Sequence, residues 1–80
     1  MQKIHTLKLL GETLRQARKD QGLTQEELAS TCGVGVRFIR EVEHGKDSCH
    51  IGKVLIVMQM LGLDTYTIPR GSNFNTENKS

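Results

Sequence analysis

Apolar residues recur at steps of three and four along most of the chain, which is the spacing of one face of an α-helix. The first such stripe runs from Leu7 to Ala17 and is followed by the polar run RKDQ and then by Gly22. Glycine commonly ends a helix, because it adopts the left-handed conformation without steric cost. The pattern therefore predicts a first helix over about residues 7–21.

A second helix is predicted by the signals at its start. Thr24 is followed three residues later by Glu27, which is the pattern of a capping box. Leu23 and Leu28 flank this start at the positions of a hydrophobic staple. We predict that Thr24 is the N-cap and that the helix runs to about residue 31.

The third helix follows a glycine-bearing turn at Gly33, where the chain must change direction sharply. Phe38, Ile39 and Val42 form its inward stripe, and Gly45 ends it. This places a short helix directly after the turn, with Arg37, Arg40 and Glu41 facing away from the inward stripe.

A fourth helix is predicted over about residues 51–61, and it is unusually apolar. From Val54 to Leu61 the sequence reads VLIVMQML, in which only Gln59 is polar. A small domain is unlikely to cover every side of such a helix, so we expect part of it to contact another protein chain; complete burial in its own domain stays an alternative. The residues assigned to this contact are Val54, Ile56, Val57, Met60 and Leu61.

One short strand is predicted at residues 64–68, DTYTI, where β-branched and aromatic residues precede Pro69. A lone strand leaves its backbone groups unpaired, and pairing with the same strand of a second copy would satisfy them. The residues assigned to this pairing are Thr65, Tyr66, Thr67 and Ile68. Residues 70–80 are polar and without periodicity, so we expect a flexible tail.

Composition narrows the function further. The 80 residues make one domain with a net charge of +2 and two cysteines. His44, Cys49 and His50 do not have the spacing of common zinc ligands, and no nucleophile motif or other catalytic constellation occurs, so we expect no metal, no cofactor and no enzyme activity. The N-terminus lacks a signal-peptide pattern and no stretch approaches the ~20 apolar residues of a membrane span, so we expect a soluble cytoplasmic protein.

The second and third helices together match a device that reads DNA. Ala29 is small where the two helices must approach, Gly33 turns the chain, and Ile39 and Val42 attach the third helix to the domain. Small, glycine, aliphatic and aliphatic residues at this spacing form the helix-turn-helix pattern. A hairpin of two helices with only a packing role is the alternative.

The stretch GETLRQARKDQGLTQEELASTCGVGVRFIREVEHGK resembles the lambda-repressor-like family, also called the Cro/C1 or XRE-type helix-turn-helix family, and the match covers about residues 10–62. The order LGETLRQ, GVRFIREVEHGKD and VLIVMQMLGLDTYTI is similar to the HipB-type antitoxin branch. The resemblance implies an all-α domain of four to five helices with a C-terminal strand paired across a dimer. It also implies a salt bridge between Arg18 and Glu43, and a HipA-like kinase toxin as partner.

Roles on double-stranded DNA follow from position and chemistry. Arg37, in the first turn of the third helix, is the main candidate to bond guanine O6 and N7, and Gln25 is expected to contact phosphate. Glu41 either accepts from cytosine or orients Arg37 four residues earlier, and we favour orientation. The family usually has Ser or Thr where this chain has Gly35 as the third helix's cap. The remaining candidates for DNA contact are Val36, Arg40, His44 and Lys46.

The chain is thus divided into an N-terminal extension (1–6), a DNA-binding domain (7–62) with its helix-turn-helix at about 24–44, a dimerisation strand (63–69) and the tail. We predict a dimeric repressor that binds a palindromic operator and serves as the antitoxin of a HipA-like kinase. A protein-interaction subunit with little DNA binding and a stand-alone phage-type repressor are the alternatives.

Overall fold

A computed structural model describes residue 4, residues 6–47, residues 50–67 and residue 69. This part of the chain contains four helices, all close to their predicted bounds, and the all-α class is confirmed. Helix α1 spans Leu7–Asp20, α2 spans Gln25–Cys32, α3 spans Val36–Glu43 and α4 spans Ile51–Met60. Helix α3 packs against both α1 and α2, and α4 packs against α2.

Both helices that precede α3 begin with a side-chain cap. Thr6 accepts a hydrogen bond from the N–H of Leu9 at 3.0 Å, so the residue before α1 already belongs to the structured part. The capping box of α2 is confirmed: Thr24 Oγ1 accepts from the Glu27 N–H at 3.0 Å, and Glu27 Oε1 accepts from the Thr24 N–H at 2.8 Å. These bonds satisfy N–H groups that the first turn of a helix leaves without a partner.

The turn between α2 and α3 has the conformation that the sequence pattern requires. Gly33 lies in the left-handed region with φ of 72°, and the N–H of Val34 bonds back to the carbonyl of Ala29 at 3.0 Å. Most other residues would be strained at this φ. The chain therefore leaves α2 sharply and starts α3 only three residues later.

Every helix contributes to one small core, and so does the residue that follows α4. The side chains that are almost fully enclosed lie at the centre, where the four helices meet. Half-buried apolar residues from the helix ends and turns surround them. The buried apolar residues are Leu14, Leu28, Ala29, Ile39, Val42, Val54, Val57 and Leu61.

Two glycines allow α1 to lie directly against the end of α3. A Cβ on Gly11 would overlap the carbonyl oxygen of Val42 and would lie 2.6 Å from that of Glu43. A Cβ on Gly45, whose φ is 73°, would lie 2.6 Å from the Cα of Lys8. Backbone meets backbone at both places, so any larger residue would push the two helices apart.

The interface prediction for α4 is wrong for three of its residues. Val54, Val57 and Leu61 are 5%, 1% and 4% exposed and belong to the core. They recur at steps of three and four, so they form the stripe that packs inward against α2. Their side chains are used in the core of their own chain and leave almost no surface for a partner.

The opposite side of α4 is apolar and exposed. Two of the predicted interface residues, Ile56 and Met60, lie there, and two more that the sequence interpretation did not include, Ile51 and Leu55, join them. We call these four residues the outer face of α4. Exposed fractions between 44% and 64% are high for side chains of this size in a folded domain.

The segment after α4 has no regular structure in residues 63–67 of this single chain. Thr65, Tyr66 and Thr67 are exposed. A strand that pairs with a second copy needs that copy to form, so the strand stays a prediction. Ile68 and the predicted tail at residues 70–80 lie outside the described residues.

Candidate nucleic-acid interface

Helix α3 is held from one side and presents the other to solvent. Ile39 and Val42 are 1% and 6% exposed and anchor it in the core. Arg37 and Arg40 lie on the opposite side, and both are exposed. The Arg37 side chain keeps 85% of its surface. The two arginines are therefore carried outward on a short helix that cannot turn about its own axis without breaking the core.

The start of α3 differs from its outer side. Gly35 is the N-cap, with extended φ and ψ of −75° and 150°, and it makes no side-chain cap bond. Val36 is half-buried and packs against the core. Part of its side chain therefore covers the core edge, and only the rest is available to a thymine methyl group.

Phe38 sits at the edge between α3 and α4. Its ring is half-buried and makes an edge-to-face contact with the His50 ring, at 6.4 Å between centroids. The Lys53 ammonium lies 5.7 Å from the same ring centroid, within the range of a cation–π contact. This cluster of Phe38, His50 and Lys53 connects α3 to the first turn of α4. The sequence pattern gave no indication of it.

One carboxylate on α3 binds two of the candidate DNA-contacting cations. Glu41 Oε2 lies 3.3 Å from Arg37 Nε and 3.4 Å from Lys46 Nζ. Loss of solvent around the carboxyl group acts to raise the pKa of Glu41, but Lys46 and Arg37 together outweigh it, and the pKa is lowered. Glu41 is therefore charged near neutral pH and restrains the arginine that is expected to read a base.

A buried ion pair joins α1 to the end of α3, as the family resemblance implied. Arg18 Nε donates to Glu43 Oε2 at 2.6 Å, and Arg18 Nη2 donates to Oε1 at 3.0 Å. Arg18 Nη1 donates to the carbonyl of Leu23 at 2.8 Å. Hydrogen bonding of the guanidinium to the Glu43 carboxylate raises the pKa of Arg18, although burial acts in the opposite direction. Both residues are 7% exposed, so the charges compensate each other inside the domain.

Gln25 is tied to this ion pair. Its Nε2 donates to Glu43 Oε1 at 3.1 Å, and the residue is half-buried. One of its two amide N–H groups is thus engaged inside the protein, which leaves the other N–H and the amide oxygen for an outside partner. The bond fixes the orientation of the side chain that is expected to contact phosphate.

A shallow groove of about 590 Å³ runs beside Gln25, between α1 and the end of α3. Besides Gln25 and the ion pair, it is lined by His44, whose Nδ1 lies 2.7 Å from the carbonyl oxygen of Arg40. The remaining lining residues are Lys8, Glu12 and Arg15. The sequence pattern gave no indication that Lys8 and Arg15 line such a groove, because it does not show that α1 lies alongside the end of α3.

The family profile of the helix-turn-helix domain matches residues 9–68. This chain belongs to the helix-turn-helix domain family. Its helix-turn-helix consists of α2, the turn at Gly33 and α3. The resemblance to lambda-repressor-like, XRE-type regulators is confirmed.

Curated and solved relatives of this helix-turn-helix protein agree with the family. An uncharacterized HTH-type transcriptional regulator, y4mF of Sinorhizobium fredii, is 53% identical over 53 residues, which are 66% of this chain and 70% of that protein. The restriction-modification controller protein C.AhdI from Aeromonas hydrophila is 29% identical and superposes with a TM-score of 0.66, over 72% of this chain and 88% of that one.

Two structures that contain HipB are also similar to the chain. A chain of the HipA-HipB-O2-O3 complex superposes with a TM-score of 0.78 at 26% identity, over 88% of this chain and 99% of that chain. The HipB-O4 20mer complex gives 0.77 at 26% identity, with the same coverage. Within the described part of this helix-turn-helix protein, no helix is both long and apolar enough to cross a membrane.

Proposed function

We propose that this helix-turn-helix regulator is a dimeric, sequence-specific repressor that binds a palindromic operator in double-stranded DNA. The observation that carries the proposal is the presentation of Arg37 and Arg40 on a helix whose other side is locked in the core. A helix of this kind fits the major groove, and a guanidinium in its first turn can bond guanine O6 and N7 together. We expect such a regulator to act in the cytoplasm.

The other candidate residues divide between base and phosphate. Arg40 lies one turn beyond Arg37 and contacts a base or a phosphate, while Val36 offers a methyl contact. Gln25 presents its remaining amide groups to the DNA backbone, and Lys46 and His44 follow α3 where a phosphate strand would pass. Phosphate contacts set the position on the duplex, and base contacts select the sequence.

The dimer would form through the outer face of α4 and the segment at residues 63–69. Four large apolar side chains that are 44–64% exposed on the outer side of one helix support this assignment, since large apolar side chains left open to solvent together mark a binding site. A dimer with twofold symmetry places its two α3 helices in successive major grooves, ~34–36 Å apart. The N-terminal residues 1–6 and the tail at 70–80 complete the proposed organisation around the domain at 7–62.

The antitoxin role is the finer part of the proposal. Its support is the likeness to HipB, which was solved in complex with HipA and with a 20mer, together with the sequence resemblance to the HipB-type branch. A HipA-like kinase toxin is the partner expected for an antitoxin of this branch. Such a protein would repress its own operon and bind the toxin.

Selection of bound duplexes from random DNA tests the repressor proposal. We expect a palindrome with half-sites about 10 base pairs apart, and Arg37→Ala should relax selection at one position per half-site while costing about 1–3 kcal/mol. Affinity should fall by ~10³ or more between 50 and 200 mM salt, because several phosphate contacts per half-site release counterions. The matched control is Lys19→Ala, an exposed cation on α1 outside the groove. Enrichment of no sequence would contradict the proposal.

The second candidate is a protein-interaction subunit that neutralises a partner and binds DNA weakly. The outer face of α4 favours it as much as it favours a dimer. The mass of the purified chain in solution separates the two. A stable dimer that shifts palindromic DNA supports the repressor, whereas a monomer that associates only with a co-purified partner supports the interaction subunit.

A further inference from the structure

We propose that Glu41 sets the specificity of the DNA-binding surface by holding Arg37 and Lys46 away from indiscriminate contact with phosphate. This inference rests on the proposed repressor function and adds a role for a residue that the sequence indicated either as a reader of cytosine or as the partner of one arginine. The feature that carries it is a single carboxylate oxygen shared by two exposed cations.

The geometry of the arginine bond leaves the reading edge open. Glu41 binds the Nε of Arg37, which is the nitrogen closest to the main chain. Both terminal nitrogens of the guanidinium therefore remain for guanine O6 and N7. Glu41 and guanine can thus bind the same arginine at once, whereas swinging this side chain to a nearby phosphate would break its bond to Glu41.

The lysine bond links this restraint to the backbone of the DNA. Lys46 Nζ has three donors and uses one on Glu41 at 3.4 Å, so its ammonium is tethered to the carboxylate that also binds Arg37, although 64% of the side chain stays exposed. Both distances exceed the 2.7–2.9 Å or so of strong charge-assisted bonds. The pairs are therefore weak enough for a well-placed phosphate to replace the lysine bond.

Electrostatics explains why this arrangement discriminates between sequences. Phosphates are the same on every sequence, so a negative charge on the DNA-facing side repels all duplexes alike. A duplex that places guanine in front of Arg37 offsets this repulsion with a base contact. The contact is favourable because the restrained guanidinium binds without first having to be oriented. Glu41 is charged near neutral pH, as its lowered pKa shows, and so exerts this repulsion under ordinary conditions.

The variant Glu41→Gln tests the idea, since it keeps the shape and removes the charge. We would measure affinity for the selected operator and for a scrambled duplex of equal length between 50 and 200 mM salt. Affinity for scrambled DNA should rise about tenfold at the lower salt, with a salt slope steeper by ~0.9 per protomer from the released Lys46. Affinity for the operator should change less, so the ratio of operator affinity to scrambled-DNA affinity should fall.

Two further variants make the result specific. Asp20→Asn changes the net charge by the same amount, but on an exposed residue outside α3 and the groove. In the described contacts, Asp20 accepts a hydrogen bond only from Gln16. This variant should change the affinities for operator and for scrambled DNA little and to the same extent. In the Lys46→Gln background, Glu41→Gln should no longer steepen the salt slope. Circular dichroism confirms that each variant folds.

Several results would overturn the proposal. An unchanged ratio in Glu41→Gln, or an equal effect of Asp20→Asn, would show that the shared carboxylate has no selective role. Loss of operator affinity with unchanged affinity for scrambled DNA would make Glu41 a direct reader of cytosine instead. If the unaltered protein preferred no sequence at all, the repressor function itself would fail, and that outcome is distinct from the others.

Discussion

The buried pair of Arg18 and Glu43 allows a quantitative prediction of stability. Glu43→Gln preserves the shape of the side chain but removes the negative charge, and Arg18 is then left almost fully buried without a counter-ion. The two bonds from Arg18 end on two different carboxylate oxygens, whereas a glutamine amide has one acceptor oxygen, so one bond is lost and an N–H donor faces an NH2 group. Among the described residues, the carbonyl of Leu23 also accepts from the guanidinium. Breaking a buried pair in this way costs about 3–5 kcal/mol.

That loss is large for a domain of this size. Native domains are stable by about 0.05–0.15 kcal/mol per residue, which amounts to roughly 4–12 kcal/mol for a chain of this length. Urea unfolding followed by far-ultraviolet circular dichroism measures the effect. With a slope near 1 kcal/mol per molar urea, the midpoint should fall by about 3 M or more.

The surface pair at Arg37 provides the control. Glu41→Gln also removes one carboxylate from α3, but that pair is exposed to solvent, which screens the charges, so its loss should lower the urea midpoint far less. A double variant, Arg18→Met with Glu43→Leu, should recover much of the lost stability, since it leaves no unpaired charge. Equal midpoints for Glu43→Gln and Glu41→Gln would refute the reasoning, because they would show that the Arg18 charge is compensated by solvent.

The raised pKa of Arg18 determines how this residue's own contribution to stability depends on pH. The pKa of Arg18 is raised in the folded state, so its contribution is fully present below the ordinary pKa of an arginine and is lost only as the pH rises above it. The Arg18 guanidinium stays protonated in both the folded and the unfolded state up to about pH 9. It therefore does not make the free energy of unfolding depend on pH between about pH 6 and 9.

Two other measurements address the glycines and the cysteine. Gly33→Ala should lower the melting temperature by roughly 5–10 °C, because φ at this position is left-handed although the space around a Cβ is open. Gly45→Ala should lower the melting temperature more, because its Cβ would also meet the backbone of Lys8. Gly52→Ala, in open space within α4, should raise the melting temperature slightly. Burial raises the pKa of the Cys32 thiol. In a Cys49→Ser background, Cys32 should therefore react with a thiol reagent at about pH 8 more slowly in the native protein than in urea. Equal rates would show that the thiol is not shielded.

Local signals in the sequence were sufficient to predict the helix-turn-helix. The capping box needs only Thr24 and Glu27, and the turn needs only a glycine at residue 33, so both could be found within a few neighbouring residues. The stripe containing Ile39 and Val42 likewise identified which side of α3 faces the core. These features depend on chemistry within one or two helical turns, which is why the sequence reveals them.

Features that depend on distant residues could not be predicted in this way. VLIVMQML has almost no polar residue to mark its outer side, so Val57 and Ile56 look alike until α2 is in place. Gly11 reads as a weak position in a helix, although it is the point where α1 meets the carbonyl groups of α3. The bond between Gln25 and Glu43 joins residues that are 18 positions apart, and no local pattern announces it.

The outer face of α4 has a consequence for how long the chain survives in a cell. A lone copy exposes four apolar side chains on the helix that also supplies core residues, so any contact that covers this face also holds the core closed. If the proposed dimer forms through this face, folding and association are linked by mass action, and the melting temperature should rise with protein concentration. Dilution after synthesis stops would then separate the copies, and the separated chains, which open more often, would be degraded first.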